Sequence, residues 1–350
     1  MNARPRSTAK APVPSSRRGV LFAGAALASG AALTLAGCGS DKKSDKQDSA
    51  KDTTSAAAGA FPVTVAGQPG SLTVKSAPKR VAAYGNGRDT DLALALGAPL
   101  VLASRNSSFA DGRSPWARPG SDVTLADSTD GLPLEKIAAA RPDLILAADD
   151  YALQDDFAKL KAIAPTLGVK SGIGKDTWDV MAQRAGEALG QRAKADQLVA
   201  QVKAKIAQVR TEHPELAGKT FTFGPVTAGQ VYTISSPADA SAIFFSQLGM
   251  TLAPQVTKLP ASSTPGRAQI SSERLDLLEA DVLILTYPNP KDQAAFEKGA
   301  LFRNLKAVKR GSYIALDFKT AIAVAFPSVL SIPYGLDSAV PQLVKAVAAA

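Results

Sequence analysis

The side chains best suited to binding a small ligand follow the predicted strands of this 350-residue chain. Aromatic rings supply apolar area with a polar tip, and guanidinium groups match planar pairs of oxygen atoms. Because parallel sheets place ligands outside the carboxyl ends of their strands, residues at those ends form the candidate site. The candidates are Tyr84, Asn86, Arg88, Arg105, Trp116, Tyr151, Tyr232, Arg267 and Tyr287. For any single one of them, the alternative is a half-buried core tyrosine or a solvated surface arginine.

The chain has few of the residues that nucleophilic catalysis or metal binding requires. The chain holds one cysteine and one histidine, which excludes a disulfide framework and a cysteine-based zinc site. A Ser–His–Asp triad would have to use His213, which lies at the predicted end of a long helix, and no G-x-S-x-G motif occurs. We therefore predict a binding protein without catalytic residues, protein-derived metal ligands or a cofactor. A lipid-anchored hydrolase and a bare metal-ion binder are the alternatives.

The charge distribution argues against a nucleic-acid partner. Forty Lys+Arg against 31 Asp+Glu give a formal charge of +9. Five of those positive charges lie in residues 1–37 without any acid, which leaves 9 minus 5, or +4, for the remainder. That remainder has no Lys/Arg run that could follow a phosphate backbone. Since 45% of residues are apolar and 20% are charged, the chain is expected to fold around a core.

Residues 1–37 have the parts of an export signal. Arg17-Arg18 precede the apolar run 20–37, which resembles a twin-arginine secretory signal. The run ends in Leu-Ala-Gly followed by Cys38, similar to a bacterial lipobox, and this is the only cysteine in the chain. A transmembrane anchor is the alternative, but 18 residues rich in Ala and Gly are marginal for crossing a bilayer. We predict a lipoprotein attached through Cys38 to the extracytoplasmic face of the membrane. Residues 38–60, which lack large apolar side chains, would form its flexible tether.

The folded part contains an internal repeat. Glu135 precedes Asp143 by eight residues, and Glu273 precedes Asp281 by the same distance. In both copies the Asp opens an apolar run rich in Val, Leu and Ile, which predicts a short helix leading into a buried parallel strand.

A second matched pair lies upstream of each copy and gives the order strand, polar loop, helix and Leu-Gly. A glycine just past the last apolar turn is a common helix stop. Two matches in the same order predict two related α/β lobes. The matched segments are strand 80–84, helix 89–96 and Gly97 in the first half, and strand 231–234, helix 238–248 and Gly249 in the second half.

The longest helical pattern lies between the two halves. Helix 177–189 is followed by helix 192–212, whose apolar stripe is Ala195, Leu198, Val199, Val202, Ile206 and Val209. Its length of about 30 Å is enough to run from one lobe to the other, with an ordinary surface helix as the alternative. We therefore expect an N-terminal lobe at 61–175, helices at 176–213 that include the crossing helix, and a C-terminal lobe at 214–350.

These features resemble the substrate-binding lipoproteins of ABC importers for ferric siderophores, haem and cobalamin. The resemblance runs from about residue 61 to the C-terminus. Its most specific parts are LPLEKIAAARPDLIL (132–146), ISSERL (270–275) and the long helix between them. It implies an α/β fold of two Rossmann-like lobes with mainly parallel sheets, joined by one long helix, with the ligand in the cleft between them. It also implies a monomer that binds a ferric siderophore, or alternatively haem or cobalamin, with iron present only as part of the ligand.

In that family a glutamate on each lobe faces the permease, and Glu135 and Glu273 stand at those motif positions. The resemblance therefore implies docking to an ABC permease dimer. The alternative is that each glutamate acts only as a first-turn acid of its helix, worth about 0.3–1 kcal/mol.

The charges near the cleft predict which siderophore fits. Residues 149–156 carry four acids after a predicted strand and would oppose Arg88, Arg105 and Arg267. Such a cleft would repel a trianionic ferric tris-catecholate and accept a ferric tris-hydroxamate, whose core is formally neutral. The alternative is that the acidic loop points away from the cleft.

Overall fold

Two sheets surrounded by helices, and a short hairpin, make up residues 61–262 and 266–350, which this computed structural model describes. The predicted signal peptide, Cys38 and tether lie outside these residues. The strands are β1 Val63–Val65, β2 Leu72–Val74, β3 Val81–Ala83, β4 Leu100–Ser104, β5 Thr124–Ala126, β6 Leu144–Leu146, β7 Thr166–Leu167, β8 Thr220–Thr227, β9 Gln230–Ile234, β10 Thr251–Leu252, β11 Arg267–Ile270, β12 Val282–Thr286 and β13 Tyr313–Leu316.

The α-helices lie on both faces of the sheets. They are α1 Arg88–Leu96, α2 Leu134–Ala139, α3 Leu153–Ile163, α4 Trp178–Ala188, α5 Arg192–Glu212, α6 Ala240–Gln247, α7 Pro290–Glu297, α8 Ala300–Asn304, α9 Lys306–Arg310, α10 Phe318–Ala325 and α11 Ser331–Ala348. None of the helices in the described part of the chain has the length and apolar character needed to span a membrane.

The N-terminal sheet is parallel throughout, in the order β5-β4-β3-β6-β7. Every residue of β3 and β6 is buried, as expected for central strands covered by helices on both faces. The chain moves outward from β3 to β4 and β5, then returns to place β6 on the other side of β3. Loops that leave the carboxyl ends of strands at such a reversal diverge and form a crevice. The crevice therefore lies beside the loops that follow β3 and β6.

The C-terminal sheet is mixed, in the order β11-β9-β8-β12-β13, with β10 also pairing with β8. β10, β8, β12 and β13 are parallel, whereas β9 is antiparallel to β8 and to β11. The parallel part repeats the arrangement β4-β3-β6-β7 of the N-terminal sheet. The predicted α/β fold of two lobes is confirmed.

One detail of the predicted repeat is wrong. The sequence predicts that strand 231–234 corresponds to strand 80–84, but the counterpart of β3 in the second sheet is β8. Both β3 and β8 pair in parallel with the strand that follows the repeated Glu and Asp, which is β6 in the first sheet and β12 in the second. β8 is hard to predict because it contains Gly224 and Pro225, which usually interrupt strands. Gly224 is required here, since a Cβ atom at that position would collide with the carbonyl oxygen of Tyr232 in β9.

The two aspartates of the repeat make equivalent hydrogen bonds in the two lobes. Asp143, just before β6, accepts hydrogen bonds from the backbone N–H groups of Lys79 (2.7 Å) and Arg80 (2.9 Å), just before β3. Asp281, just before β12, accepts from the backbone N–H (2.7 Å) and hydroxyl (2.8 Å) of Thr220 at the start of β8. Each carboxylate thus fastens the beginnings of two central parallel strands, which explains why both copies need an Asp at this place.

Helix α5 connects the lobes at the predicted residues, 192–212. Near its start Lys194 donates to the carbonyl of Leu96 at the end of α1 (2.7 Å), and further along Lys205 pairs with Asp337 of α11 (2.6 Å). Its buried face belongs to one apolar cluster that contains residues of both lobes. Because this core continues through the helix, the connection is a packed one and not a free linker.

Candidate functional site

The floor of the crevice is built by the loops after β3 and β6. Arg88, the first residue of α1, forms an ion pair with Asp149 (Nη2–Oδ1 2.5 Å, Nε–Oδ1 2.7 Å), and its backbone N–H donates to Oδ2 (2.9 Å). Asn86 donates its side-chain amide to the carbonyl of Asp149 (2.8 Å). Gly85 permits this close approach, because a Cβ atom there would lie 2.8 Å from the Asp149 carbonyl carbon. Burial lowers the pKa of Arg88, but the charge of Asp149 and its hydrogen bond outweigh burial, so the pKa of Arg88 is raised.

A second buried acid supports this floor from below. Asp89 is 1% exposed and accepts a hydrogen bond from the backbone N–H of Asp149 (2.8 Å). Its other oxygen has no hydrogen-bond partner among the described residues. Burial, followed by the charge of Asp149, raises the pKa of Asp89 to about 8. Asp89 is thus largely protonated at neutral pH, so the charge beneath the floor comes mainly from the Arg88–Asp149 pair.

A third acid lies where the lobes meet. Asp91 accepts hydrogen bonds from the indole N–H of Trp116 (2.9 Å), in the N-terminal lobe, and from the hydroxyl of Ser328 (2.5 Å), in the C-terminal lobe. Burial raises the pKa of Asp91 to about 7, although the bonds from Ser328 and Trp116 oppose the rise. Trp116 also contacts Tyr334 of α11, with ring centroids 5.3 Å apart. The two lobes therefore meet through a polar and an aromatic contact at one place.

Two adjoining cavities occupy the space between the lobes. The first, of about 190 Å³, is lined mostly by polar residues of the N-terminal lobe, and the second, of about 230 Å³, is lined mostly by apolar residues of the C-terminal lobe. Ile322 and Phe326, at the end of α10, line both. Together the cavities fall within the range of about 300–1,000 Å³ that is usual for small-molecule sites. The side chains of the first cavity that sequence reasoning singled out are Asn86, Arg88, Arg105 and Trp116.

Arg267 lines the second cavity, and Arg105 contributes the positive charge of the first. Arg267 lies near Asp239 (Nε–Oδ2 3.7 Å). Arg105 donates to the carbonyl of Ala110 (2.5 Å) and has no carboxylate within salt-bridge distance among residues 61–262 and 266–350. Two of the three predicted arginines are thus paired with acids, and Arg105 is the one that keeps a free charge.

The tyrosines of the predicted set lie mostly outside the cavities. Tyr84 and Tyr287 are 5% and 6% exposed and belong to the apolar clusters of their lobes, so neither can contact a ligand without rearrangement. The hydroxyl of Tyr287 bonds to that of Tyr313 (2.8 Å), and burial raises the pKa of both Tyr84 and Tyr287. Tyr232 is half-buried in β9 and lines neither cavity. Tyr84 and Tyr287 therefore occupy core positions in this structure, the alternative that the sequence left open, and the assignment of all three tyrosines as ligand contacts stays a prediction.

Tyr151 differs from the other tyrosines because 54% of it is exposed. Partial burial of its hydroxyl is the main cause that raises its pKa, and Asp149 and Asp239 reinforce the rise. Arg88 and Arg267 act in the opposite direction. Since Arg88 belongs to one lobe and Arg267 to the other, the Tyr151 hydroxyl lies close to charged groups of both lobes, at the rim of the cleft.

The acidic segment 149–156 does not present four charges to the cleft. The charge of Asp149 is neutralised in its ion pair with Arg88, and Asp150 accepts a hydrogen bond from the backbone N–H of Ala152 (2.9 Å). Asp156 pairs with Lys159 (3.1 Å), and Asp155 is exposed in the first turn of α3. None of these acids lines either cavity. Burial raises the pKa of Asp150 to about 6. The predicted opposition of this segment to all three arginines is therefore wrong, apart from the Arg88–Asp149 pair.

Glu135 and Glu273 are both exposed. Glu135 lies in the first turn of α2, and Glu273 comes two residues before the predicted short helix of the second copy, which is the 3-10 helix Leu275–Leu278. Each stands eight residues before an Asp that fastens two parallel strands, so the two glutamates occupy equivalent places on the two lobes.

Two α/β lobes joined by one long helix, with a small-molecule cavity between them, define a solute-binding protein. Residues 81–320 match the family model described as periplasmic binding protein, and the chain belongs to that family. A periplasmic solute-binding protein from Mycobacterium smegmatis is 28% identical, with a TM-score of 0.71 over 81% of this chain and 98% of its own.

Two further solved structures are similar. The iron-uptake protein PiaA of Streptococcus pneumoniae, in complex with ferrichrome, is 26% identical, with a TM-score of 0.67 over 82% of this chain and 99% of its own. Staphylococcus aureus SirA, complexed with staphyloferrin B, is 21% identical and shares the fold, with a TM-score of 0.67 over 80% of this chain and 98% of its own. A comparison with curated proteins gave no match.

Among the residues that sequence reasoning did not single out are Asp91, Ile322 and Phe326, which line the first cavity, and Ser328, which donates to Asp91. Asp91 carried a usable signal, because Arg88, Asp89 and Asp91 place three charges in the first turn of a helix that directly follows a strand-end loop. Ile322 and Phe326 carried no such signal. They lie on an apolar helix, and only the packing of one lobe against the other shows which of its faces lines the cavity.

Proposed function

We propose that this protein captures a ferric siderophore in the cavity between its lobes and delivers it to an ABC importer permease. The observation that carries the proposal is the cavity itself, with charge-paired polar side chains on one lobe and the apolar end of α10 on the other. Iron inside an organic chelator needs no protein ligands, which fits a chain whose described residues include no group of three His, Cys, Asp or Glu side chains able to hold a metal. The relative that is 26% identical binds ferrichrome.

The charges around the cavity favour a ligand with little net charge, and we infer a ferric tris-hydroxamate. Arg88 is neutralised by Asp149, and Arg267 lies beside Asp239. Arg105 adds one positive charge, and the partly ionised Asp91, which lines the same cavity, offsets part of it. A trianionic tris-catecholate would find no cluster of free arginines here, whereas a formally neutral ligand can use Arg105 on its oxygens and Trp116 and Phe326 on its apolar parts.

Equilibrium titration of residues 39–350 tests this function directly. The chain holds two tryptophans, so Trp178→Phe leaves Trp116 as the single fluorescent indole. Ferrichrome, a linear ferric tris-hydroxamate, a ferric tris-catecholate, haem and cobalamin form the panel, with iron-free ligand as the control. We expect saturable quenching of Trp116 by the hydroxamates at the lowest concentrations. Tighter binding of the catecholate, with a gap that shrinks in salt, would overturn the hydroxamate assignment, and binding of haem or cobalamin alone would replace the function.

We further propose that Glu135 and Glu273 form the contact with the permease dimer. Both are exposed at equivalent places on the two lobes, outside the cavity lining. Reversing both to Arg should abolish siderophore uptake by cells while the affinity of the purified protein for the ligand stays within about twofold, since rim-distant surface charges act weakly on the cleft. Uptake that survives the double reversal would contradict docking, and loss of ligand affinity would place these residues in the binding site instead.

Membrane attachment through Cys38 completes the proposal and rests on the sequence of the leader. Cys38→Ala should release the protein into the aqueous phase on detergent partitioning, because the acyl chains that hold it would be missing. Full membrane retention of that variant would contradict the lipoprotein assignment. Arg17→Lys with Arg18→Lys should block export through the twin-arginine route, and unchanged export would indicate the general secretory pathway.

A further inference from the structure

Asp91 receives one hydrogen bond from each lobe on the same oxygen. Trp116 donates its indole N–H to Oδ2 at 2.9 Å, and Ser328 donates its hydroxyl to Oδ2 at 2.5 Å. Asp91 is 2% exposed and lines the first cavity. A buried carboxylate is costly unless donors satisfy it, so an apolar residue would serve better if this position only filled space. Asp91 therefore acts as a hydrogen-bond acceptor for two donors, which an apolar side chain could not do.

The Ser328 hydroxyl is fixed so that its proton points to Asp91. Its oxygen accepts hydrogen bonds from the backbone N–H groups of Leu330 (3.2 Å) and Ser331 (3.0 Å) at the start of α11. A hydroxyl that accepts from two donors still has one proton to give. The bond to Asp91 therefore connects the N-terminal lobe to the beginning of α11, the long final helix of the C-terminal lobe.

The Trp116 indole is held on three sides. Its N–H is bonded to Asp91, its edge meets Phe109 at a centroid distance of 5.8 Å, and its other neighbour is Tyr334 of α11 at 5.3 Å. The two aromatic contacts pack the ring, but they offer no acceptor for the indole N–H, which usually finds a hydrogen-bond partner when it is buried. The hydrogen bond to Asp91 sets the ring in one orientation along the wall of the cavity.

We propose that Asp91 is a positioning residue of the binding site: it fixes the Trp116 ring against the ligand and ties the two lobes together through Ser328. This inference rests on the proposed function for its effect on ligand affinity. The orientation of Trp116 and the bond between the lobes are properties of the ligand-free protein and can be tested without any ligand.

The test compares Asp91→Ala with the isosteric Asp91→Asn, both in the Trp178→Phe background. An Asn side chain keeps one oxygen with two lone pairs and can accept from both donors. We expect Asp91→Asn to bind ferrichrome within about threefold of the parent and Asp91→Ala to bind about tenfold or more weakly. In the ligand-free protein, Asp91→Ala should shift the emission maximum of Trp116 and increase its quenching by iodide, whereas Asp91→Asn should leave both close to the parent values.

A double-mutant cycle with Ser328→Ala tests the link between lobes. If Asp91 acts through Ser328, adding Ser328→Ala to Asp91→Ala should cost far less affinity than Ser328→Ala costs alone, because the bond is already gone. Additive losses would contradict the link. If Asp91→Ala does not fold, Ser328→Ala alone still carries the test, with Ser338→Ala, a residue of α11 outside the cavity, as the control.

The outcomes separate this inference from the proposed function. Absence of siderophore binding by the parent protein would overturn the function, while the emission and iodide measurements would still decide whether Asp91 holds Trp116. Normal siderophore binding together with unchanged affinity and unchanged Trp116 emission in folded Asp91→Ala would overturn the inference alone. An Asp91→Asn variant as weak as Asp91→Ala would also overturn it, because the charge and not the acceptor position would then matter.

Discussion

The two lobes present opposite kinds of surface to the same cavity. The N-terminal lobe offers Arg88, Asp91 and Arg105, with most of their charge already paired inside the protein. The C-terminal lobe offers a mostly apolar surface around Ile322 and Phe326, with Arg267 as its charged side chain. Polar groups that are fixed in advance orient a ligand with little reorganisation, whereas apolar surface contributes affinity in proportion to the area that it covers. If the proposed function is correct, we expect the N-terminal lobe to contribute mainly to ligand selectivity and the C-terminal lobe mainly to ligand affinity.

The ion pair of the polar lobe offers the largest single effect. Arg88→Met should lower the free energy of unfolding by about 3–5 kcal/mol, because Asp149 would remain buried without its partner. Chemical denaturation with urea measures this change. The double variant Arg88→Met with Asp149→Asn should recover part of the loss, since it removes the stranded charge. A fully stable single variant would show that the pair is solvated and that the polar lobe is not preorganised.

The apolar lobe should respond through affinity and not through stability. Phe326→Ala removes apolar area from both cavities and should weaken binding of a ferric tris-hydroxamate by about ten- to a hundredfold, corresponding to about 1.5–3 kcal/mol of buried side chain. Isothermal calorimetry on the purified variant provides the measurement. Phe296→Ala is the matched control, because Phe296 is also half-buried but lies outside both cavities. Equal losses in the two variants would contradict the role of the apolar wall.

The buried acids of α1 predict how stability depends on pH. Asp89 and Asp91 have pKa values raised from 3.8 to about 8 and about 7, so the folded chain binds their protons more tightly than the unfolded chain does. The contribution of these two groups to the free energy of unfolding is largest below about pH 4, and it is lost as the pH rises through 7 and 8. The charge of Asp149 adds to the rise of both pKa values that burial causes, and the charge of Arg88 opposes it.

Thermal unfolding measures this dependence. Between about pH 5 and about pH 8.5 the melting temperature should fall by several degrees, since 1 kcal/mol corresponds to about 2–4 °C for folded chains of about 150–250 residues and the shift per kcal/mol decreases slowly with size. Asp89→Asn should flatten the upper part of that slope, and Asp155→Asn, which changes an exposed acid, should leave it as it is. A slope that Asp89→Asn does not alter would show that Asp89 is ionised in the folded protein.

The smallest effect is expected from the outer acids of the 149–156 segment. Asp155→Asn and Asp156→Asn should change the ratio of hydroxamate to catecholate affinity by less than about twofold, because neither acid lines the cavity. Asp155 is exposed, so its charge is screened, and the buried Asp156 is paired with Lys159. Parallel titrations of both ligands provide the ratio. A large shift toward the catecholate would mean that this segment does face the ligand. The ligand would then contact a third, acidic surface in addition to the surfaces of the two lobes.

The elements that depend on local pattern were predictable from the sequence. Helix α5 spans the predicted residues, and Gly97 and Gly249 follow helices as expected, with φ angles of 67° and 94° that favour glycine. Strand β8 was missed because Gly224 and Pro225 weaken its pattern, although its partner β9 makes both acceptable.

The site was predictable only where side chains follow strand ends. Asn86, Arg88, Arg105 and Trp116 were found in this way, since the topology of a parallel sheet places such loops beside the crevice. Tyr84 and Tyr287 satisfied the same rule but turn into the core, because a tyrosine gains more from burial than a charged side chain does. Phe326 and Ser328 become part of the site only through the contact between lobes, which no local pattern encodes.

The central claim is that a ferric siderophore occupies the space between the polar and the apolar lobe. A crystal structure of residues 39–350 with ferrichrome tests it most directly. We expect the iron complex in the joined cavities, with Arg105 and Trp116 on one side of the ligand and Ile322 and Phe326 on the other. Ferrichrome bound elsewhere on the protein, with these four side chains making no contact with it, would contradict the account.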